Sequence, residues 1–403
     1  MKKNFLFLGF AIPNEEMKKV FSIDEFPTIQ THKFNWNLIK GIETRNLYDF
    51  TYISARPVSD YPYFPEKKIK GKNWKIDILR KDIEIIEIPY INSSIFKIIT
   101  RFFSGIYYSF KKYHKVKNKG GVIVYSVHVP FMMIGYIISK IYNIDYIAIW
   151  TDPPSMKYER ESFLKSKFRN TELFISKYLM KKASKVIALT KYLAEDFAPN
   201  KPYLVIEGIV DEKDANININ IKQKEETNLI KVVYTGSLEK RYGIKNVVEG
   251  FKLIKDNNII LEIYGRGDYE EELKKVCSEN KKIRYKGFLL NDKILEVQRE
   301  ADFLINARSA EDEYVKYSFP SKTLEYMLSG TPLITTMLPG IPEEYRDYVF
   351  VLDNNDAITI CEMIQKSAKM EKDEIHAIGL AAQVFAKNKN YINQGKRILD
   401  FIV

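Results

Sequence analysis

Ser321, Lys322 and Glu325 stand together at the start of one helical stretch, YSFPSKTLEYMLSGTPLI (317–334), and side chains of these types can act jointly. Pro320 suits the first turn, where a missing N–H is no loss, and Gly330 with Pro332 ends the helix. A helix start attracts anions through its unpaired N–H groups and positive macrodipole, and the hydroxyl at 321 and ammonium at 322 add to that. Glu325 lies four residues after Ser321 and three after Lys322, on the same side of the helix. A carboxylate is useless to phosphate but suits a vicinal diol such as ribose. The group points to a nucleotide-diphosphate site, although an ordinary capped amphipathic helix has the same pattern.

The strand before it, ADFLINAR (301–308), ends in Asn306 and Arg308, and three other strand ends carry related groups. VVYTGSLEKRYGIKNVVEGF (232–251) runs from a strand through a Gly236–Ser237 turn and a basic loop, with Lys240 and Arg241, into a helix. Glycine there lets backbone approach a ligand, and the two cations could meet phosphate. IILEIYGRGDYEEEL (259–273) ends its strand in Gly265 and Gly267, and the strand IRYKG ends in Gly287 followed by Phe288. The former is not a dinucleotide fingerprint: G-x-G-x-x-G needs glycine where Glu270 stands, and the next strand lacks an acidic residue. The Glu-Asp-Glu run at 311–313 reads as a solvated loop rather than a metal motif.

Particular elements must hold these strand ends. Short β-branched runs alternate with helical patterns: NFLFLGF, YDFTYISA, IEIIEIPY, GVIVYSV, DYIAIW, KVIAL and PYLVIEG, then IKVVYTG, IILEIYG, IRYKG, DFLINA, PLITT and YVFVL. That alternation predicts an α/β fold of two Rossmann-like, doubly wound parallel sheets. The expected division is a first domain over 1–206, a linker over 207–229 containing DEKDANININIKQKEETN, a second domain over 230–385 and a C-terminal helix over 386–403. Ligands of such sheets bind at the carboxyl ends of strands, so the site is expected in a cleft facing both sheets.

The 403 residues are 45% apolar and 29% charged, a globular composition with room for two cores, and the net charge is +11. The charge suits a nucleotide, an anionic membrane or nucleic acid, but no helix-turn-helix or RNA-reading signature accompanies it, so no nucleic-acid partner is expected. Cys277 and Cys361 lack CxxC or Cys/His spacing, which argues against zinc and a disulfide framework and fits a reducing cytoplasm. MKKNFLFLGFAIP has too short an apolar run, and no small-x-small site, for a signal peptide, and reads as a first strand. The most apolar region, 122–150, is broken by His128, Pro130, Lys140, Asn143 and Asp145 and falls short of the ~20 apolar residues of a spanning helix.

Taken together, YTGSL, IYGRG, YKGFL, ADFLINAR and SFPSKTLEYMLSGTPLI, with the spacing between them, make the second domain resemble the donor-binding half of glycosyltransferase family 4, the group 1 glycosyltransferases of GT-B fold. ALTKYLAEDFAPNKPYLVIEGIVD (188–211) and IWTDPPSM (149–156) resemble the family's hinge and a cleft-facing loop more loosely. The resemblance implies retaining transfer of a hexose from a nucleotide-sugar, UDP- rather than GDP-linked, to a glycan or lipid-linked acceptor in bacterial surface polysaccharide assembly, without metal or cofactor. By the same resemblance Gly236 and Ser237 approach the donor diphosphate, and Gly265 and Gly287–Phe288 flank the nucleobase. Ser321, Lys322 and Thr323 hold phosphates, and Glu325 accepts from the ribose. There are departures. Tyr317 takes the place of the first of the family's two glutamates, and Ser237 and Tyr242 take those of its usual Arg and Lys. Lys240, Arg241 or Arg308 is then left to neutralise the leaving group beside Lys322. Competing readings are an epimerase or phosphorylase on this fold, and a non-catalytic binder of anionic lipid or nucleic acid.

In the first domain Asp152, ending YIAIWTD, takes the place of a histidine that faces the sugar in many relatives. It either orients a donor hydroxyl or helps deprotonate the acceptor, or else caps the DPP turn. His128, ending VYSVHVPF, is either a cleft residue or a structural histidine, and PTIQTHKFNWNLIKG (27–41) is expected as a loop offering His32 and Lys33 to the acceptor. NSSIFKIITRFFSGIYYSFKKYHKVKNKG (92–120) predicts a helix whose Phe96, Ile99, Phe103, Ile106 and Phe110 pack on the first sheet. Phe102, Tyr107, Tyr108 and Tyr113 then interleave with Lys97, Arg101, Lys111, Lys112, Lys115 and Lys117 on the remaining surface. That surface is expected to lie on the anionic cytoplasmic face of the membrane, as a lipid-linked acceptor would require.

Overall fold

A computed structural model describes residues 1–78, 81–154, 163–211, 229–289, 291–311 and 313–403. They form two compact units, Met1–Ile209 with Tyr391–Val403, and Val210–Asn390. Most of the expected linker (212–228), Asp312 of the Glu-Asp-Glu run and the end of IWTDPPSM lie outside the described residues.

The first unit contains strands β1 (Asn4–Gly9), β2 (Asp49–Ser54), β3 (Lys68–Ile69), β4 (Lys72–Ile78), β5 (Lys81–Glu87), β6 (Tyr90–Ile91), β7 (Lys119–Tyr125), β8 (Asp145–Trp150), β9 (Lys185–Ala188) and β10 (Tyr203–Val205). Eight form one sheet in the order β10-β9-β8-β7-β1-β2-β5-β4, parallel except for β4, which pairs antiparallel with β5 at the edge. Phe5 to Gly9 and Gly121 to Tyr125 are buried without a break, so both faces of the central strands are covered. Strand β4 is absent from the sequence reading, which has β5 as IEIIEIPY, because KNWKIDI is mostly exposed, as an edge strand can be, and lacks an apolar run.

Helices α1 (Asn14–Ile23), α2 (Ile29–Thr44), α3 (Ser94–Tyr113), α4 (Val129–Tyr142), α5 (Phe163–Met180) and α6 (Lys191–Phe197) join these strands. The expected C-terminal helix is two helices: one ends at Asn388 in the second unit, and Tyr391–Phe401 lies on α2. Gly41 and Gly395 permit that approach, because a Cβ on Gly395 would lie 2.6 Å from Gly41 Cα.

Helix α3 overturns the expected packing. Its buried row is Lys97, Arg101, Gly105, Ser109 and Tyr113, whereas Ile95, Phe96, Ile99, Phe103 and Tyr107 are exposed. Close helix contact is the reason: a Cβ on Gly105 would stand 2.7 Å from Ile134 Cδ1, so a ridge of small residues fits against α4. Lys97 and Arg101 bury their stems and carry their charges to polar groups. Lys97 Nζ donates to Val58 O (2.6 Å) and Asp60 Oδ1 (2.8 Å), and Arg101 Nη2 to Arg56 O (2.8 Å).

The second unit contains β11 (Ile230–Ser237), β12 (Ile259–Arg266), β13 (Ile283–Tyr285), β14 (Phe303–Asn306), β15 (Leu333–Thr336) and β16 (Phe350–Leu352). All six were legible as apolar runs, and they form a wholly parallel sheet in the order β13-β12-β11-β14-β15-β16. Helices α7 (Ile244–Leu253), α8 (Glu270–Glu279), α9 (Asn291–Glu300), α10 (Ser321–Ser329), α11 (Ala357–Ser367) and α12 (Lys372–Asn388) join and cover it. Strand order reverses between β11 and β14, the place where a parallel sheet leaves a crevice beyond its carboxyl ends.

Candidate active site

That switch point is bounded by Gly236 on β11 and by the residues just after β14. Gly236 pairs with Gly265 of β12, and both have φ of +152°. A Cβ on Gly265 would collide with Gly236 O, so the strand ends can lie this close only with glycine. A Cβ on Gly236 would meet nothing nearer than Tyr234 Oη at 3.9 Å, and one on Gly287 would have nothing within 4 Å. The backbone is therefore open at two of the three glycines expected to face a ligand.

Helix α10 begins at this same edge because it follows β14 and returns the chain to parallel β15. Two buried side chains fix it there. Tyr326 Oη donates to Thr235 O (2.6 Å) and accepts from Thr235 N–H (2.9 Å), and burial keeps the phenol protonated far above its usual range. Gln298 Nε2 donates to Thr235 Oγ1 (2.9 Å) and Glu325 Oε1 (2.8 Å). The helix start is thus tied to the residue directly before Gly236.

Lys322 Nζ lies 2.6 Å from Glu325 Oε1, and the two side chains are 31% and 32% exposed. Ser321 is exposed beside them. Thr323 departs from expectation: it is fully buried, its hydroxyl has no partner and its N–H donates to Pro320 O (2.8 Å). Its position in the first turn turns the side chain toward the core, so its hydroxyl does not face solvent with Ser321.

The four cations differ in their partners. Lys240 pairs with Glu272 (2.7 Å), Arg241 with Glu239 (2.6 Å) and Lys322 with Glu325. Arg308 has no carboxylate within 4.0 Å among the described residues. Its guanidinium lies 4.3 Å from the Tyr242 ring centroid, with Nε buried and unpartnered, and its carbonyl accepts from Thr336 Oγ1 (2.7 Å). Tyr242, which departs from the family pattern, thus carries a cation delivered from the next strand. On the other side of the sheet edge Phe288 is 53% exposed, with the Arg266 guanidinium 4.7 Å from its ring. Sequence reasoning did not single out Gln298, Tyr326 or Arg266. Gln298 and Tyr326 sit at inward positions of their helices, where nothing in the spacing separates them from core residues.

In the first unit Asp152 is exposed just after β8 and accepts from Thr151 Oγ1 (2.7 Å). His128 precedes α4, with Nε2 3.4 Å from Arg101 Nη1 and its ring against Phe10 and Phe131. Burial, then Arg101 and Lys97, hold it neutral, well below the usual histidine range. His32 is a correction: it lies in α2 rather than a loop, buried against Phe21 and Trp36, with Nε2 2.8 Å from Asn14 Oδ1. Burial lowers its pKa to about 4, the mark of a core histidine. Lys33 is exposed on the same helix, and neither histidine is bonded to Asp152.

Residues 216–385 match the family described as glycosyl transferases group 1. With two doubly wound sheets, the protein is a glycosyltransferase of the GT-B fold that carries a group 1 domain in its second unit. Solved structures share this fold along the whole chain. HepE from Anabaena in complex with UDP is 14% identical, with 99% of each chain covered and a TM-score of 0.63. The lipopolysaccharide outer core galactosyltransferase WaaB is 14% identical, with 99% of each chain covered and a TM-score of 0.61. Sucrose-phosphate synthase from Thermosynechococcus elongatus is 13% identical over 99% of this chain and 98% of that one, with a TM-score of 0.61. No curated protein matches the sequence.

Proposed function

We propose that the protein moves a hexose from a nucleotide-diphosphate sugar, UDP- rather than GDP-linked, to a glycan or lipid-linked acceptor in surface polysaccharide assembly, with retention of configuration, at the cytoplasmic face of the membrane. The observation that carries this is the sheet edge where open backbone at Gly236, the start of α10 and Arg308 meet the switch point. Gly236 and Ser237 admit a diphosphate, and the helix N-terminus with Ser321 and Lys322 favours its charge. Glu325 accepts from the ribose, and Phe288 with Gly287 flanks the base. HepE has been solved with UDP, with UDP and glucose, and with UDP-glucose, and WaaB is named a galactosyltransferase, which supports a UDP-hexose here.

In the proposed step the bond from C1 to the phosphate oxygen breaks as the acceptor oxygen bonds C1 from the same face. The acceptor proton passes to the departing phosphate oxygen. Charge grows on the diphosphate, and offsetting it is the main catalytic task. Arg308 takes that role as the one of the four cations with no carboxylate partner among the described residues, and Lys322, although paired with Glu325, adds its charge because it stands at the start of α10. Asp152 orients a sugar hydroxyl or assists deprotonation. The helix N-terminus and these cations supply the charge that a metal ion would otherwise provide. Calorimetry with UDP, GDP and their sugars tests the reading: binding of a UDP-sugar is expected, and no binding of any nucleotide would overturn it. Loss of turnover in EDTA, restored by magnesium or manganese, would overturn the metal-free mechanism.

A further inference from the structure

The exposed side of α3 is unexplained by the transferase chemistry. Ile95, Ile99, Phe103 and Tyr107 recur every four residues with Phe96 beside them, and all five are between 44% and 65% exposed. The same row continues as exposed Lys111, and Lys115 is exposed just past the helix end. The fold has turned the apolar stripe of an amphipathic helix toward solvent and buried the side that holds Lys97, Arg101, Gly105 and Ser109. The apolar surface also extends past the helix start, where Asp60 accepts from Ser94 Oγ (3.3 Å) and Lys97 Nζ, and Tyr61 N–H donates to Asn92 O (3.2 Å). There Tyr61 and the edge-to-face pair Phe26 and Tyr63 (centroids 5.3 Å apart) are exposed as well. An exposed apolar row of this kind marks an interaction site.

Charge selects the occupant. Between Glu87 and Asp145 the chain has eight Lys and Arg and no Asp or Glu. Lys111, Lys115 and Lys117 have no carboxylate within 4.0 Å among the described residues, and Lys111 Nζ sits 5.5 Å from the Tyr107 ring centroid. No described helix is long and apolar enough to cross a membrane. A helix of about 30 Å with an apolar row, interfacial aromatics and unpaired lysines suits the surface of an anionic bilayer, lying in its plane.

We propose that the Ile95–Tyr107 face of α3 inserts at the headgroup boundary of an anionic membrane, with Lys111, Lys115 and Lys117 against lipid phosphate. Of the cations expected on the surface, Lys111, Lys115 and Lys117 remain there while Lys97 and Arg101 are buried, and Phe96, Ile99 and Phe103, assigned to the core, become the inserted part. The test is flotation of the full chain with equimolar phosphatidylglycerol and phosphatidylcholine vesicles, and with phosphatidylcholine alone. Wild type should float with the anionic vesicles and bind less as salt rises. A variant with Phe96→Gln, Ile99→Gln and Phe103→Gln should lose binding to both kinds of vesicle, since these exposed side chains support no core. A variant with Lys111→Gln, Lys115→Gln and Lys117→Gln should bind anionic vesicles roughly a hundredfold less, at about fivefold per charge. Equal recovery of wild type and the apolar variant would overturn the proposal. So would light scattering that shows a wild-type dimer and a monomeric apolar variant, because a second copy would then cover the face. UDP calorimetry on the same samples keeps the readings apart: lipid binding without UDP binding would sink the transferase reading alone.

Discussion

Replacing Arg308 by alanine separates its catalytic assignment from a structural one. The guanidinium has no carboxylate partner among the described residues and rests on Tyr242 at 4.3 Å. Its removal forfeits a cation–π contact of about 0.5–1 kcal/mol and strands no buried carboxylate, so the unfolding free energy should fall by no more than about 1 kcal/mol. Donor binding should suffer more. Loss of a charge-assisted bond to phosphate costs about 1.5–3 kcal/mol, which is roughly a 10- to 150-fold weaker affinity for UDP. Turnover should fall further, by roughly 10²- to 10³-fold, because the diphosphate is most charged as it leaves. Arg308→Lys keeps the charge but not the planar stack on Tyr242, so its activity should lie between the two. The measurements are UDP calorimetry, kcat from UDP release and urea unfolding. Wild-type UDP affinity and kcat in folded Arg308→Ala protein would refute the assignment. A stability loss above about 3 kcal/mol would refute the claim that the side chain is structurally unpaired.

Lys322→Ala and Glu325→Ala should each weaken UDP binding by about 1.5–3 kcal/mol without unfolding the protein, and unchanged calorimetric affinity in both would remove the start of α10 from the site. Tyr326→Phe should act on stability instead. Strand β14 pairs with β11 only at Val232 and Val233, so the Tyr326 hydroxyl stands in for a strand partner at Thr235. Its loss should cost about 1–3 kcal/mol in urea unfolding, and a neutral result would show that water replaces it. His32 has a folded-state pKa of about 4, below its unfolded value near 6.5, so the unfolded chain binds the extra proton between those values. Stability should therefore decline as pH falls from about 6.5 to about 4, by about 2–3 kcal/mol in all, and His32→Gln should flatten that decline. Parallel pH profiles for the two proteins would count against it.

The strands of both sheets, the edge strand β4 excepted, and the glycine-bearing strand ends were readable from sequence for local reasons. A parallel strand covered on both faces requires an unbroken apolar run, and a chain that must bring backbone beside Gly265 can tolerate only glycine there. The Ser321–Lys322–Glu325 group was readable for the same reason, since helical spacing alone puts those side chains on one side. What the tertiary structure decided was which of several equivalent residues is free, and which way a face turns. Lys240, Arg241 and Arg308 are alike in sequence, and only the fold brings Glu272 across to Lys240 while leaving Arg308 on Tyr242. Helical periodicity grouped Ile99 and Phe103 on one face of α3 but could not orient it. Orientation came from Gly105 against Ile134 and from the Arg56 and Val58 carbonyls that receive Arg101 and Lys97, contacts made between segments far apart in the chain. Periodicity is a property of one helix, whereas the direction it faces depends on the surface it meets.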